Sequence, residues 1–290
     1  MTFQDTFQAY MLQLAADGRS GHTINQYRRH LARFANWLDE TNRPTEIHDI
    51  DHQDLAAFLA SESATHDAAG KKKRPTSINT IRSSLKTFFC FVHAAGYAPR
   101  NAGRLIRRAI CGDPPPRAMS ESEELRFKKA LKDHPCKRDR VLFRLMLQTG
   151  IRIGSALGLD IEDLDFENGR IWLRTMKGAR VDAKGIPEPV SNEVSGYVDG
   201  QGRGAVFQGR DGRRLSARHA QRVFSRIVEK AGLGDWITPH CLRHTYATRL
   251  YEASNDLILV KEAMTHRSIS STVVYLSSVQ TVRSSCILVG

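Results

Sequence analysis

Three consecutive prolines at residues 114–116 divide this 290-residue chain into two parts of different character. The proline ring fixes φ and removes a backbone donor, so the run favours an extended segment and interrupts both helix and sheet. The surrounding residues 111–118 are therefore predicted to form a linker. It separates a predicted N-terminal domain over 1–110 from a predicted C-terminal domain over 119–290.

The part before the prolines has the apolar spacing of helices and no strand alternation. Thr23 is the expected cap of one long helix, and a shorter helix is expected over 53–61. A strong apolar stripe then begins at Ser77 and stops at Gly96. These segments predict a small helical bundle.

The part after the prolines mixes helix and strand. Residues 170–176 have the β-branched and aromatic content of a strand, residues 179–186 are the expected return strand, and 204–207 is a short third candidate. Helices are expected over 120–133, 138–148, 216–231, 240–253 and 257–264, and near Tyr275. The predicted fold class is mainly α with a small antiparallel β-sheet (α+β).

The chain carries a formal net charge of +12 with a pI of about 9.7, which favours a polyanionic partner. Before Met119 there are 16 basic and 11 acidic residues, and from there on 27 basic and 20 acidic, so both parts share the excess. Charge alone does not separate DNA from RNA, and each basic cluster has a solvated loop as its simpler interpretation. Two clusters are the candidate DNA contacts: Lys71, Lys72, Lys73 and Arg74, and then Arg100, Arg104, Arg107 and Arg108.

A cytoplasmic location is expected. No apolar run approaches the roughly 20 residues that span a bilayer, and the N-terminus lacks the basic start and apolar stretch of a signal peptide. The five cysteines are scattered and form no CxxC pair, which argues against a disulfide framework or a zinc site.

Two cationic motifs could bind a phosphate. His240 and Arg243 are three residues apart at the start of a predicted helix, so they share a face near the positive end of the helix dipole. Arg152 lies between apolar runs, where a buried charge requires a partner. That partner is either a carboxylate, Asp160 or Glu162, or a substrate phosphate.

The order of these motifs resembles the tyrosine recombinases, or phage-integrase family, and within them the Xer-like site-specific recombinases. The match in spacing covers the whole C-terminal half, and the N-terminal half is similar to that family's helical core-binding domain. The motifs are Thr149-Gly150-Ile151-Arg152, Lys177-Gly178, Thr238-Pro239-His240-x-x-Arg243-His244-Thr245-x-Ala247-Thr248 and His266-x-Ser268-Ile269-Ser270-x-Thr272-x-x-Tyr275.

The resemblance implies a role for each catalytic residue. Tyr275 is the nucleophile that attacks a DNA phosphodiester, leaving a 3′-phosphotyrosine and a free 5′-hydroxyl. Arg152 and Arg243 hold the non-bridging oxygens, and His240 assists proton removal from Tyr275. Because the phosphoester is kept as a covalent link and arginines carry the charge, neither ATP, a metal nor another cofactor is expected.

Two further roles follow from the same resemblance. Lys177 is the general acid for the 5′-oxygen, although Lys184 lies on the same predicted hairpin and stays an alternative. His266 is expected to hydrogen-bond the phosphate. The sequence departs from the family pattern at Ser155, where an acidic residue is common and would order the neighbourhood of Arg152. It departs again at Cys241, where Asp is frequent.

The resemblance also implies an assembly. The two domains are expected to form a clamp on a double-stranded DNA recombination site, as a tetramer on DNA and a monomer or dimer when free. The apolar end of the tail, residues 286–290, is expected to dock on its own domain or on a neighbouring protomer. An accessory DNA-bending factor stays open, and no membrane partner is expected. The alternatives are a type IB topoisomerase-like enzyme and a non-catalytic DNA-binding regulator.

Overall fold

A computed structural model of the chain describes residues 1–111, 117–174 and 181–264. The chain divides into two compact units, Met1–Asp113 and Pro114–Gly290. The expectation of a mainly helical chain with a small antiparallel sheet is confirmed. None of the helices in the described ranges combines the length and apolarity that a membrane crossing requires.

Unit 1 is a bundle of helices around an aromatic core. Phe34, Phe58 and Phe88 lie at its centre with no exposed surface, and Phe34 contacts Phe58 edge to face with ring centroids 5.0 Å apart. Such contacts fix the relative orientation of neighbouring helices. The helices are α1 (Phe3–Ala16), α2 (Gly21–Glu40), α3 (His52–Ala60), α4 (Glu62–Thr65) and α5 (Pro75–Ala94), followed by a 3₁₀ turn (Ala102–Leu105).

Unit 2 packs helices around one face of a three-stranded antiparallel sheet of order β1-β2-β3. In β2, Ile171 and Leu173 point into the core while their neighbours are exposed, as expected for a half-buried strand. The elements are α6 (Glu121–Lys132), α7 (Lys137–Thr149), α8 (Ile153–Gly158), β1 (Leu164–Asp165), β2 (Arg170–Arg174), β3 (Val181–Gly185), α9 (Glu188–Val198), α10 (Ala217–Lys230), α11 (Pro239–Ser254) and α12 (Leu257–Ala263).

Helix α11 is the central element for function, and α7 and α12 both pack against it. Buried Thr245 ties α11 to the start of unit 2, because its hydroxyl accepts a hydrogen bond from the backbone N–H of Met119 at 2.9 Å. The same hydroxyl donates to the carbonyl of Cys241 one turn earlier, also at 2.9 Å. The chain that enters unit 2 is thus attached directly to the helix that carries His240 and Arg243.

Several details differ from the sequence-based expectations. Helix α2 begins at Gly21, because the hydroxyl of Ser20 rather than Thr23 accepts the capping hydrogen bond. The third strand is β1, whereas residues 204–207 form only a single bridge between Ala205 and Asp160. Helices α1, α4, α8 and α9 were not predicted, since α1 is weakly amphipathic, α4 and α8 are short and α9 follows a proline.

We predict that Thr245→Val lowers the free energy of unfolding by about 1–3 kcal/mol. Valine keeps the shape of the side chain but leaves the buried Met119 N–H without its acceptor. Thr248→Val is the matched control, because the hydroxyl of Thr248 is buried in the same helix without a hydrogen-bond partner among the described residues. Urea unfolding of both variants checks this, and equal effects would contradict the role of the Thr245 hydrogen bond.

Candidate active site

Arg243 is the best-anchored side chain of the site. It lies one turn into α11 with only 3% of its surface exposed. Its guanidinium donates to the carbonyl of Gly150 at 2.6 Å and also to the carbonyl of Met264. A guanidinium held by fixed carbonyls keeps a defined orientation, which favours a role in binding one ligand geometry.

Gly150 is required for this anchor because of its backbone conformation. It closes α7 in the left-handed region with φ of 67°, and its N–H donates to the carbonyl of Met146 at 2.9 Å. A Cβ at Gly150 would lie 2.4 Å from Cδ1 of Tyr246, which no real Cβ tolerates. Glycine therefore both permits the turn and allows Tyr246 to pack against it, while its carbonyl faces Arg243.

His240 occupies the first turn of α11 and is accessible to solvent. Partial burial of the ring lowers its pKa from the usual value, and the positive charges of Arg243 and Arg152 lower it further. The ring also contacts His244 edge to face, with centroids 4.5 Å apart. Burial and the two positive charges therefore favour the neutral form of His240 at pH 7.

Arg152 occupies the N-cap position of α8, and its side chain is exposed and makes no capping hydrogen bond. Its expected burial between apolar runs is wrong, because the turn at Gly150 directs Arg152 outward while its apolar neighbours enter the core. The carboxylates that were candidate partners are engaged elsewhere. Asp160 forms an ion pair with Arg214 at 2.5 Å, and Glu162 accepts a hydrogen bond from the backbone N–H of Gly204. Within the described ranges Arg152 forms no ion pair, so its guanidinium is available to a ligand.

Lys184 joins this group from β3. Its side chain is 7% exposed, and its ammonium donates to the carbonyl of Ala263 and lies 4.8 Å from the centroid of the Tyr246 ring. Burial lowers its pKa to about 8, and the charge of Arg243 contributes to the shift. The structure thus brings Arg152, His240, Arg243 and Lys184 together.

Three predicted site residues fall in ranges that the structure does not describe. Lys177, His266 and Tyr275 all lie outside the described residues. Neither His240 nor Lys184 has a carboxylate among the charges that shift its pKa. Among the described residues, no group of three or more His, Cys, Asp or Glu side chains could hold a metal ion. The described part of the site collects positive charge, which suits one anionic group.

The two predicted basic clusters lie in unit 1, and one member differs from the rest. Lys73 is half-buried and donates to the carbonyl of Ala64 at 2.8 Å, so its ammonium already stabilises the fold. Exposed side chains belong to Lys71, Lys72, Arg74, Arg100, Arg104, Arg107 and Arg108. Arg107 and Arg108 also line a cavity of about 260 Å³ with Arg82 and Lys86 of α5, which the sequence analysis missed.

A second basic surface was also missed, on α10. Arg218, Arg222 and Arg226 recur every fourth residue and are all exposed, while Val223, Phe224 and other apolar residues of the helix enter the core. The i, i+4 spacing of arginines beside an apolar stripe was the available signal. Such a row presents several guanidinium groups to one side of a helix.

The chain has a helical unit followed by a mixed unit, and the mixed unit groups arginines with histidines. This arrangement suits an enzyme that acts on a nucleic-acid phosphodiester. Comparison with known proteins identifies it further. The model of the phage integrase family matches residues 117–281, more than half of the chain, and that of the phage integrase N-terminal SAM-like domain matches residues 7–96. The chain belongs to the phage integrase family, whose members are tyrosine recombinases.

Individual relatives and a solved structure agree with this family assignment. The chain is 32% identical to tyrosine recombinase XerC of Rhodospirillum centenum, over 88% of this chain and 77% of the relative. It is 28% identical to tyrosine recombinase XerD of Mycobacterium tuberculosis, over 92% and 91%. In fold it is similar to a lambda integrase dimer bound to a COC′ core site, with a TM-score of 0.73, 21% identity and 95% coverage of both chains.

We predict that Gly150→Ala lowers the free energy of unfolding by more than about 1 kcal/mol. The added Cβ strains a positive φ and displaces Tyr246. Gly154→Ala is the control, because Gly154 is helical with open space around its Cβ position, so alanine should be neutral or stabilising. Denaturant unfolding measures both. A Gly150→Ala variant as stable as the parent would show that this turn does not fix the site.

Proposed function

We propose that this chain is a site-specific DNA recombinase that cleaves and rejoins strands through a 3′-phosphotyrosine at Tyr275. The observation that carries the proposal is the convergence of Arg152, His240 and Arg243 from α8 and α11. Two guanidinium groups and a neutral imidazole are the groups needed to bind a phosphodiester and to remove a proton from a phenol.

The chemical step balances without another reactant. The hydroxyl oxygen of Tyr275 forms a bond to phosphorus while the bond from phosphorus to the 5′-oxygen breaks. The proton of Tyr275 passes to His240, and Lys177 gives a proton to the departing 5′-oxygen. The phosphotyrosine conserves the ester bond, so attack by a 5′-hydroxyl rejoins a strand by the reverse path. The step requires no ATP, and no cofactor is assigned to it.

The arginines stabilise charge on the reacting phosphate. Arg243 is held in place before substrate arrives, so binding the transition state requires little reorganisation of this side chain. Arg152 is exposed and brings donors that are not used within the described residues. We assign His266 a hydrogen bond to the same phosphate, from its position in the family motif.

The residue three positions after Arg152, Ser155, bears on the pKa of His240, the proposed base. A carboxylate at that position would be a source of negative charge, whereas Ser155 contributes a half-buried hydroxyl. The charges that shift the pKa of His240 are both positive. His240 therefore stays neutral over a wider pH range than an imidazole paired with an acid, so it is available to accept a proton over that range.

DNA binding is assigned to the exposed basic surfaces of each unit. In unit 1 these are the two clusters around Lys71 and Arg104, with Lys73 the member engaged in the fold. In unit 2 the arginine row of α10 is the strongest candidate. Contacts of this kind neutralise phosphates and make affinity strongly dependent on salt. The catalytic domain over 119–290 and the core-binding domain over 1–110 would thus share the duplex.

Assembly follows from the reaction, because exchange between two duplexes cuts four strands. We assign one protomer to each strand, which gives a tetramer on the recombination site from monomers or dimers in solution. The apolar tail over 286–290 is a candidate contact between protomers. An accessory DNA-bending factor is a further candidate partner, and we place the reaction in the cytoplasm.

We predict a covalent protein–DNA adduct that requires Tyr275. A nicked suicide duplex, selected from a pool for covalent trapping, should link to the parent protein and not to Tyr275→Phe. Tyr251→Phe should behave as the parent, because Tyr251 packs beside α12 in unit 2 and has no assigned role. Denaturing electrophoresis measures the adduct. Binding without any adduct would favour a regulator, and adducts on arbitrary sequence with relaxation of supercoils would favour a topoisomerase.

We predict that acid inhibits cleavage with a midpoint below pH 6.5, the ordinary imidazole value. His240 must be neutral to accept a proton, so activity is present above its pKa and is lost as pH falls through it. The pH dependence of kcat/KM reports the free enzyme. Arg152→Gln removes one of the positive charges, so its midpoint should rise whatever its rate. A parent midpoint above 6.5 would contradict this assignment.

A further inference from the structure

The burial of Lys184 has to be explained, because lysine is among the residues least often buried. It stands on β3, in register with Ile171 of β2, on the face of the sheet that enters the core. Removing an ammonium from water is costly unless it finds acceptors. Lys184 has the carbonyl of Ala263 and the ring of Tyr246, and it forms no ion pair with a carboxylate among the described residues.

The acceptor is at the end of a helix. The last carbonyls of a helix lack partners within it and carry the negative end of its dipole. At the end of α12, Lys184 donates a hydrogen bond to the carbonyl of Ala263, and Arg243 donates one to the carbonyl of Met264. Two cations, one from β3 and one from α11, thus bind consecutive carbonyls at this end of α12.

Two of the proposed catalytic residues follow this end of α12 in the sequence. His266 follows Met264 by two residues and Tyr275 follows it by eleven. The place and direction in which the chain leaves α12 therefore determine where both side chains start. Lys184 of β3 is also close in sequence to Lys177, which precedes it by seven residues.

We propose that Lys184 is a positioning residue, which fixes the end of α12 against Arg243 so that the segment bearing Tyr275 begins at a set distance from the phosphate site. The proposal rests on the function proposed above. It differs from the role of Lys177, because the ammonium of Lys184 is used in binding a backbone carbonyl and is not offered to a 5′-oxygen.

The first test separates binding from chemistry. Lys184→Met keeps the length of the side chain and loses its donors, and Lys129→Met is the matched control on the exposed face of α6. With the nicked duplex under single-turnover conditions, Lys184→Met should bind DNA as tightly as the parent but cleave on the order of 10- to 100-fold more slowly, the size of effect that misplacement of a reacting group produces. Lys184→Arg, which keeps a cationic donor, should recover part of the rate.

The second test distinguishes positioning from acid catalysis. A duplex with sulfur in place of the bridging 5′-oxygen has a leaving group that needs no proton. This substrate should restore cleavage by Lys177→Met and should leave Lys184→Met slow.

Three results are decisive. Restoration of Lys184→Met by the sulfur duplex would overturn the positioning role and make Lys184 the general acid. An unchanged cleavage rate for Lys184→Met on the oxygen duplex would also overturn it. An absence of adduct with the parent protein would instead refute the proposed function. Thermal unfolding of each variant confirms that the fold is intact, and Lys184→Arg provides the comparison if Lys184→Met unfolds.

Discussion

The site depends on one buried guanidinium. Arg243 joins the carbonyl that closes α7 to the carbonyl that follows α12, so three helices meet at a single side chain. Burying a charge in this way is unfavourable unless its donors are satisfied, and two backbone carbonyls accept hydrogen bonds from this guanidinium. These carbonyls hold the guanidinium in a defined orientation at the site.

The conformation of Gly150 makes that arrangement possible. The left-handed turn ends α7, exposes Arg152 two residues later and points a carbonyl at Arg243. Tyr246 fills the space that a Cβ would occupy and presents its ring to Lys184. Arg243 and Lys184 are thus oriented by backbone or ring contacts from the same few turns of chain, so the packing of α7 on α11 and the positions of these two cations have one origin.

The sequence predicted the parts of this design that depend on local pattern. The fold class, the capping box between Ser120 and Glu123, and the family motifs follow from spacing and side-chain type. The exposure of Arg152 and the burial of Lys184 did not follow, since both depend on contacts between segments distant in sequence. Arg152 lies in apolar sequence yet faces outward, and Lys184 reaches a helix end 79 residues away. Local hydrophobicity carries no information about such partners.

The charge balance of the site bears on its chemistry. Burial lowers the pKa values of His240 and Lys184, and repulsion from Arg243 lowers both further, with Arg152 adding to the repulsion at His240. A phosphodiester entering the site would relieve the repulsion, so substrate binding and the protonation of these groups are coupled. The free site favours a neutral His240, and the anion would raise the pKa of His240 as it binds. Under the proposed mechanism, a proton from Tyr275 would therefore be better accommodated once the phosphate is present, which would link base catalysis to the bound complex.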